Sequence, residues 1–361
     1  MVKEIKKIAI LTSGGDCAGL NAVMNAVVRR ATEKGIEVYG IHDGTFGLIY
    51  PNVSYRRLTV KDFQNEFSCI KNAGTILGSV NNMKMENKSY LQYADAFRKG
   101  VEELSINSIV VVGGDGSAAI INDFTKGTDI NVVLIPKTID NDTPYTEYSI
   151  GFDTARNVCM EMLDMIQTTA SSHHRIMVVE VMGRDAGHLA LHSAIAASAN
   201  VCLIPEIPYR YDNVVRKIRE IKDQGINYSL VVVSEGCKTE NDEIIHVKRS
   251  NGMKSYCGFG NYLANKLEGE GNDFIVRSTT LGHLQRGGRP SCFDRITAAR
   301  FGVHAVDIIC EGKSRRMVAL KDGKIVDVDL EEAVKTGSQF VDKHGDLVDT
   351  AKALGIYVGE I

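Results

Sequence analysis

The sequence is poor in proline and has almost no excess charge. Six prolines in 361 residues are about 2%, against a usual share of roughly 5%, and no proline-, serine- or glycine-rich linker interrupts the chain. Lys and Arg number 42 and Asp and Glu number 45, which gives a net charge of −3. Such a balance provides no overall field that would attract nucleic acid or an anionic membrane. We therefore expect neither as a partner, and any anion site must be local.

The chain also lacks the cysteine spacing of a metal site and any long apolar run. The eight cysteines include no CxxC pair, so neither a zinc site nor a disulfide framework is predicted, and the thiols are expected to be reduced residues of the core. No apolar stretch approaches the roughly 18 residues of a membrane-spanning helix, and the first apolar run is too short for a secretory signal. These features predict a cytoplasmic protein.

Glycine, by contrast, is abundant and follows the apolar runs. The 34 glycines are about 9% of the chain, against a usual share of about 7%. Short β-branched runs, each followed by a glycine-rich or polar turn and a helical pattern, span residues 8–12, 109–112, 132–136, 176–181 and 230–233. Continuous apolar strands that alternate with helices indicate parallel sheets buried on both faces. The predicted fold class is α/β, and the length favours two lobes.

The helical patterns and one polar segment complete the predicted organisation. Helices are expected at residues 20–34, 88–104, 117–125, 153–172, 214–224 and 292–310. Residues 236–256 break the periodicity and are predicted to form a surface hairpin or a long loop. In open α/β sheets a ligand binds beyond the carboxyl ends of the strands, so the segments that follow the strands are the candidate site.

The segment Gly113-Gly114-Asp115-Gly116-Ser117 lies between the second apolar run and a helix. Glycines at such a turn let backbone amides approach a phosphate, and the helix N-terminus favours an anion. Asp115 beside a phosphate suggests a Mg²⁺ ion between the two negative charges. The alternative, equally weighted on this segment alone, is a tight turn in which Asp115 caps the helix.

The first strand is followed by a similar loop, Ser13-Gly14-Gly15-Asp16, which continues to Gly19. Two such loops at one sheet edge favour the phosphate-binding interpretation. Neither loop has the GxGxxG or GxxxxGK[ST] spacing, so dinucleotide-binding and P-loop motifs are not indicated.

Carboxylates and cations follow the remaining strands. The loop Pro136-Lys137-Thr138-Ile139-Asp140-Asn141-Asp142 carries two carboxylates, of which one could accept a proton from a hydroxyl beside a phosphoryl group. The alternative for this loop alone is an Asx-rich turn. Several arginines able to pair bidentately with phosphate occur later in the chain at Arg175, Arg184, Arg277, Arg286 and Arg289.

In this order, the motifs GGD, GGDGS, PKTIDND, HHRIMVVEVMGR and LGHLQRGG resemble those of the bacterial-type 6-phosphofructokinase family. The resemblance runs from residue 7 to about residue 335. It implies two Rossmann-like three-layer α/β/α lobes with mostly parallel sheets. It also implies a larger lobe that binds the phosphoryl donor, residues 1–150 plus about 284–335, and a smaller lobe that binds fructose 6-phosphate, residues 151–283 plus about 336–361.

The reaction implied by this resemblance is Mg²⁺-assisted transfer of a phosphoryl group to the 1-hydroxyl of fructose 6-phosphate. Asp140 would be the base, Thr138 would lie near the transferred group, and Asp142 would support the metal or the base. Arg184 would stabilise charge on the migrating group, and Asp115 would be the residue linked to the metal. The residues that would meet the donor are Gly15, Gly114, Asp115, Gly116, Ser117 and Lys137.

The resemblance also implies a homo-oligomer, a dimer or a tetramer, whose sites are shared between subunits. Arg175 and Arg277 would reach across the interface to clamp the sugar's 6-phosphate. The residues that would bind the sugar phosphate within one subunit are Thr138, Asp140, Met182, Gly183, Arg184, Glu235, His283 and Arg286.

Two positions bear on the choice of donor. Gly116 matches family members that use ATP, because a side chain there would intrude on the α-phosphate, whereas Lys137 matches members that use pyrophosphate. We expect ATP, with pyrophosphate as the alternative. Asn81 and Thr45 depart from the family pattern and motivate a rival from another class, a catalytically weakened regulatory subunit. The presence of Asp115, Thr138, Asp140, Asp142 and Arg184 argues against that rival.

Overall fold

The computed structural model of the chain describes residues 5–64, 69–80, 89–248, 254–269 and 271–360. The chain divides into two compact units, each built from separate segments. Unit 1 comprises Met1–Ile139, Thr143–Thr154 and Arg286–Ser338. Unit 2 comprises Asp140–Asp142, Ala155–Gln285 and Gln339–Ile361. The assignment of one lobe to the donor and the other to the sugar phosphate stays a prediction.

Strands and helices alternate along most of the chain. The strands are β1 (Lys7–Thr12), β2 (Glu37–Ile41), β3 (Tyr55–Leu58), β4 (Ser108–Gly113), β5 (Asn131–Pro136), β6 (Ile176–Val181), β7 (Val201–Leu203), β8 (Ser229–Ser234), β9 (His246–Lys248), β10 (Lys254–Tyr256), β11 (Val276–Thr280), β12 (Arg316–Lys321) and β13 (Lys324–Asp329). The α-helices are α1 (Leu20–Glu33), α2 (Tyr90–Glu103), α3 (Asp115–Thr125), α4 (Phe152–His173), α5 (His188–Ala196), α6 (Tyr211–Asp223), α7 (Phe259–Glu268), α8 (Cys292–Cys310), α9 (Leu330–Thr336) and α10 (Asp346–Ala353).

Unit 1 contains a seven-stranded sheet in the order β13-β12-β5-β4-β1-β2-β3. The five central strands are parallel, and β3 and β13 pair antiparallel at the edges. Alternate residues of β1, β4 and β5 pack against α2 and α3 in one core cluster, and α1 packs against α8. The strand order reverses at β1 and β4, because β2 lies on one side of β1 and β4 on the other. Such a switch point is where open α/β sheets bind ligands.

Unit 2 contains a four-stranded parallel sheet in the order β11-β6-β8-β7. Its core joins residues of these strands to apolar residues of α6 and α7, while α5 packs against β7 and β8. Strands β9 and β10 form a separate antiparallel pair. The segments that matter for the site are those after the carboxyl ends of β6 and β8.

The structure confirms the predicted α/β class, the five predicted strands and the six predicted helices. Residues 236–256 contain β9 and β10, so the hairpin interpretation holds for the part of that segment that is described. All eight cysteines are free, as expected, and Cys17, Cys159, Cys202 and Cys237 are buried. The prediction of core thiols is wrong for Cys292 and Cys310, which are exposed at the two ends of α8, and Cys69 and Cys257 are only half-buried. Among the described residues, no helix is both long and apolar enough to cross a membrane.

Candidate functional site

The two glycine-rich loops meet at the switch point of the unit 1 sheet. The Ser13 amide, just after β1, donates to the carbonyl oxygen of Val112 in β4 at 2.9 Å. The Ser117 hydroxyl then donates to the Ser13 hydroxyl at 3.0 Å. These bonds hold the start of one loop against the first turn of the helix that follows the other. The predicted meeting of both loops at one sheet edge is therefore confirmed.

Asp115 lies at the N-terminus of α3 and is exposed. The helix is capped by Gly114 and not by Asp115, and the cap has no side-chain hydrogen bond. The Asp115 carboxylate instead accepts from the Gly116 amide at 2.6 Å. Asp115 is therefore not the N-cap residue that the alternative interpretation requires, because Gly114 has that position. The Asp115 carboxylate already meets one first-turn amide at the positive end of α3.

Gly113 and Gly116 are glycines for different reasons. A Cβ atom at Gly113 would lie 2.5 Å from the Ser117 Cβ, so packing requires a glycine there. A Cβ atom at Gly116 would meet nothing within 4 Å, and this residue does not adopt a left-handed conformation. The fold itself therefore does not require Gly116, and its effect is to leave open space beside Asp115.

Lys137 joins the end of β5 to both loops. Its side chain is buried, its Nζ donates to the Gly15 carbonyl oxygen at 2.5 Å, and its own amide donates to the Gly113 carbonyl oxygen at 3.0 Å. A buried ammonium group requires hydrogen-bonding partners. Its positive charge consequently lies directly beneath the first loop.

Arg286 also lies against the first loop. Its Nη1 donates to the Asp16 carbonyl oxygen at 3.1 Å, and a Cβ atom at Gly15 would lie 2.6 Å from the same nitrogen. The guanidinium thus packs on the Gly15 backbone, although a Cβ atom there would meet only the movable end of the Arg286 side chain. The structure places Arg286 next to the first glycine-rich loop of unit 1, and its part in clamping the sugar phosphate stays a prediction.

The loop after β5 is fixed on several sides. The Thr138 carbonyl accepts from the Ser149 hydroxyl at 3.0 Å, and the Ile150 amide donates to the Pro136 carbonyl at 3.1 Å. Asp140 and Asp142, which group with unit 2, are buried. Asn141 between them has a left-handed φ of 55°, and the Asp142 carbonyl accepts from the Gln339 amide at 2.6 Å. Burial of two carboxylates in one short loop is unusual for a plain Asx turn and is typical of a functional site.

The segment after β6 has a strained backbone. Gly183 has a φ of 142° and Arg184, not a glycine, has a φ of 51°. The Arg184 amide donates to the Glu235 carboxylate at 3.1 Å, and a Cβ atom at Gly236 would collide with the Arg184 carbonyl. Left-handed conformations of this kind persist where surrounding contacts fix them, often at functional sites. The exposed Arg184 side chain is thereby presented at the carboxyl edge of the unit 2 sheet.

Glu235 follows β8 at the same edge. Burial raises the pKa of its carboxyl to about 7, hydrogen bonds from the Arg184 and Gly183 amides act in the opposite direction, and the negative charges of Asp140 and Glu180 add to the rise. Within unit 2, therefore, the electrostatics couple Glu235 to Asp140, while a hydrogen bond joins it to Arg184. The structure thus brings three of the predicted site residues together.

Gln285 is a residue of this site that sequence reasoning missed. It is buried in the 3-10 helix Gly282–Arg286. Its Oε1 accepts from the Met182 amide at 3.1 Å and from the Cys159 thiol at 3.2 Å, and its Nε2 donates to the Gly282 carbonyl at 2.9 Å. Gln285 therefore connects the segment after β6 to the LGHLQRGG motif. His283 of the same motif is exposed.

Arg175 and Arg277 are not at this edge. Arg175 directly precedes β6, and Arg277 is the second residue of β11, paired with Met177. Because β6 runs six residues to Val181, Arg175 lies about 20 Å from the carboxyl edge of the sheet, and Arg277, paired with Met177, lies about 13 Å from it. Arg277 donates to Glu268 at 3.1 Å. Within one chain the structure does not bring these two arginines to Arg184 and Glu235.

The side chains around the glycine-rich loops offer few ligands for Mg²⁺. The described ranges contain no group of three or more His, Cys, Asp or Glu side chains that could hold a metal. In phosphoryl-transfer sites, however, Mg²⁺ is held by one or two carboxylates together with phosphates and water. The exposed Asp115 carboxylate beside the glycine-rich loops is a hard oxygen donor and fits this mode of binding. Of the two positions that depart from the family pattern, Thr45 is buried in the 3-10 helix Gly44–Leu48, and Asn81 lies outside the described residues.

Known proteins resemble this chain over nearly its whole length. The phosphofructokinase family is matched over residues 7–309. A Synechocystis sp. protein named ATP-dependent 6-phosphofructokinase 1 is 45% identical over 362 residues, which cover 99% of both chains. A Clostridium perfringens protein named ATP-dependent 6-phosphofructokinase 2 is 42% identical over 369 residues, again 99% of both chains.

Solved structures of similar proteins have the same fold. The phosphofructokinase of Saccharomyces cerevisiae has a TM-score of 0.76 at 27% identity, over 97% of this chain and 46% of that one. A pyrophosphate-dependent phosphofructokinase from Marinobacter aquaeolei has a TM-score of 0.77 at 22% identity, over 99% and 93% of the two chains, and this likeness concerns the fold alone. With a family match over most of its length and relatives above 40% identity, the chain belongs to the phosphofructokinase family.

Proposed function

We propose that this chain is an ATP-dependent 6-phosphofructokinase, which transfers a phosphoryl group from ATP to the 1-hydroxyl of fructose 6-phosphate in glycolysis. The product is fructose 1,6-bisphosphate. Two relatives with that printed name align with almost the whole chain. The observation that carries the proposal is the joining of the loops after β1, β4 and β5, through Ser13, Ser117 and Lys137, at the switch point of the larger sheet.

Donor binding is proposed for the loops of unit 1. Gly15, Gly114 and Gly116 would let the donor phosphates approach the backbone, with Ser117 and the charge of Lys137 as further partners. When bound, Mg²⁺ would neutralise charge on these phosphates, and Asp115 is the residue proposed to hold it. The open space at Gly116 supports ATP, because a nucleotide needs more room than a diphosphate.

Asp140 is proposed as the base that accepts the proton of the 1-hydroxyl as its oxygen attacks the γ-phosphorus. Thr138 would bind beside the transferred group, Arg184 would stabilise charge on it, and Asp142 would support the base or the metal. The burial of Asp140 and its coupling to Glu235 support a place among reacting groups, since functional carboxyls are commonly found in such surroundings.

Sugar binding is proposed for the carboxyl edge of the unit 2 sheet. Glu235 would bind sugar hydroxyls, and Met182 and Gly183 would line the sugar. His283 and Arg286 would contribute to the 6-phosphate clamp. Arg175 and Arg277 would come from a neighbouring subunit, which their position at the opposite edge supports. The oligomer and a cytoplasmic location stay predictions.

Steady-state assays of the purified protein test the reaction and the donor together. With fructose 6-phosphate and Mg²⁺ we expect faster turnover with ATP than with pyrophosphate. Faster turnover with pyrophosphate would reject ATP as the donor. It would support the pyrophosphate-dependent alternative, which the presence of Lys137 suggests. No turnover with either donor would favour the regulatory-subunit alternative.

Asp140→Ser tests the assignment of the base. The variant is expected to lose turnover by about 10²- to 10⁴-fold, because base catalysis depends on that carboxylate, while it still binds fructose 6-phosphate in a calorimetric titration. Retained turnover near the wild-type rate would remove Asp140 from the role of base.

A further inference from the structure

Residues 339–341, named here the C-terminal strap, lie beside the proposed catalytic loop in unit 2. The Gln339 amide donates to the Asp142 carbonyl at 2.6 Å. The strap lies between α9 and α10 and has no regular secondary structure of its own. Contacts with other segments must therefore fix its position, and these contacts bear directly on the backbone of Asp142.

Two side chains fasten the strap. The His188 Nε2 lies 3.2 Å from the Gln339 carbonyl oxygen, and because that oxygen only accepts, Nε2 carries the proton. Glu206 Oε1 accepts from the Val341 amide at 2.9 Å and from the Gly187 amide at 2.8 Å. The strap is consequently held at both ends by residues that come from the start of α5 and from the segment after β7.

The carboxylate of Glu206 is closely packed by the surrounding chain. Its Oε2 is buried and has no hydrogen-bond partner within the part of the chain that is described. A Cβ atom at Gly187 would collide with the Ile204 Cβ and lie 2.7 Å from that oxygen, so the packing of both side chains requires a glycine there. Burial also raises the pKa of this carboxyl. Burying a carboxylate with few partners is unfavourable. Neither Glu206 nor His188 is among the residues proposed above to bind the donor or the sugar.

We infer that Glu206 and His188 are positioning residues for phosphoryl transfer, which hold the strap so that Gln339 keeps Asp142 and the loop containing Asp140 in place. The inference rests on the proposed function of that loop. The effect should appear in kcat, because a displacement of about 1 Å at a reacting group can lower the rate about 100-fold.

Glu206→Ala removes the oxygen that accepts from both the Val341 and the Gly187 amides. In the full-length protein we expect kcat to fall about 10- to 100-fold, with the KM values for ATP and fructose 6-phosphate changed by less than about threefold. Glu206→Gln keeps an Oε1 that can accept from both amides and should recover most of the lost kcat. All rates are measured well below the Tm of each variant.

Asp329→Ala is the matched control. Asp329 also accepts from two backbone amides, those of Glu331 and Glu332 at 2.9 and 3.0 Å, but it caps α9 in unit 1. This variant should lose stability and keep the kcat of the wild type. A kcat loss in Asp329→Ala as large as that in Glu206→Ala would show that general destabilisation is responsible, and would overturn the inference.

A second variant keeps the test decisive if Glu206→Ala does not fold. His188→Ala removes the other fastening, and His188→Gln, whose amide can donate to the Gln339 carbonyl, should restore kcat. Wild-type kcat in a folded Glu206→Ala or His188→Ala variant would reject the positioning role. A wild-type protein that does not phosphorylate fructose 6-phosphate would instead reject the proposed function, so the two failures are distinguishable.

Discussion

Glycines of the proposed donor site serve the fold and the ligand separately. Gly113 accommodates Ser117 and is explained by that contact within the protein, whereas a Cβ atom at Gly15 would meet only the movable end of the Arg286 side chain. Gly116 has no such neighbour. Of these three, Gly116 is the position where a side chain would change the ligand space without disturbing the fold. Close approach to phosphate, the sequence-based explanation for the glycine surplus, is therefore an incomplete account of these loops.

Glu235→Gln should alter the pH dependence of stability. The pKa of about 7 lies above the ordinary 4.5, so the folded protein holds this proton more tightly than the unfolded chain. The contribution of Glu235 to stability is fully present below pH 4.5 and is lost as the pH rises through about 7. At pH 8 the buried anion should cost up to about 3 kcal/mol, which the amide avoids while it still accepts from Arg184.

Thermal unfolding of both proteins between pH 5 and pH 8 measures this effect. The Tm of Glu235→Gln relative to that of the wild type should rise with pH, and other titrating groups cancel in the difference. Glu102→Gln, at an exposed position of α2, reports the effect of removing one carboxylate alone. A Tm difference for Glu235→Gln that is constant across this range would contradict the raised pKa.

Gln285→Ala should impair both stability and catalysis. The substitution leaves the Met182 amide and the Gly282 carbonyl without their side-chain partner, which costs about 1–3 kcal/mol for buried groups. Loss of the Met182 contact should also loosen the strained segment that presents Arg184, so kcat/KM should fall at least about 10-fold. Cys159→Ala, which removes only one of the three contacts, is expected to stay within about twofold of the wild type.

Helix packing in unit 1 gives a prediction at the scale of elements. Gly302 lies inside α8, where a Cβ atom would be 2.8 Å from the Ala26 Cβ and 2.9 Å from the Val23 carbonyl of α1. Gly302→Ala should lower the Tm by overpacking this contact, although alanine ordinarily favours a helix over glycine by about 1 kcal/mol. In Gly116→Ala, where the space is open, thermal unfolding should show no such loss. A higher Tm for Gly302→Ala would contradict the close packing of α1 and α8.

The elements that sequence predicted are those whose own residues determine them. Strands β1, β4, β5, β6 and β8 are continuous apolar runs, and each was predicted. Strand β3 has the sequence YRRL and is largely exposed at a sheet edge, while β7 has only three residues, so neither has a local pattern. Their formation depends on pairing with neighbouring strands, which a single sequence does not display.

Individual site residues divide in a similar way. Asp115, Asp140 and Arg184 lie in motifs next to predicted strand ends, where the order of chain segments already implies proximity. Gln285 and Glu206 act on amides far away in the sequence, namely Met182 and Val341. No spacing rule connects such pairs, because their contact depends on tertiary packing.

The whole molecule is expected to be an oligomer because the small sheet separates two groups of proposed ligands. Glu235 and Arg184 belong to its carboxyl edge, whereas Arg277 lies near the amino end of β11. Arg175 lies six residues before Val181, about 20 Å from that edge, and Arg277, paired with Met177, lies about 13 Å from it. A second copy of the chain, related by symmetry, would supply the missing arginines.

Mixing two inactive variants tests this shared site. Asp140→Ser lacks the proposed base and Arg277→Ala lacks part of the proposed phosphate clamp, so each alone should be nearly inactive at low fructose 6-phosphate. If each site takes Asp140 from one subunit and Arg277 from another, random 1:1 reassembly leaves about a quarter of the sites intact. Activity should therefore return to about that fraction of the wild-type rate after denaturation and joint refolding. As a control, Asp140→Ser refolded with the double variant D140S/R277A has no intact site and should stay inactive. If the 1:1 mixture of the two single variants also stays inactive, both residues belong to the site of one chain.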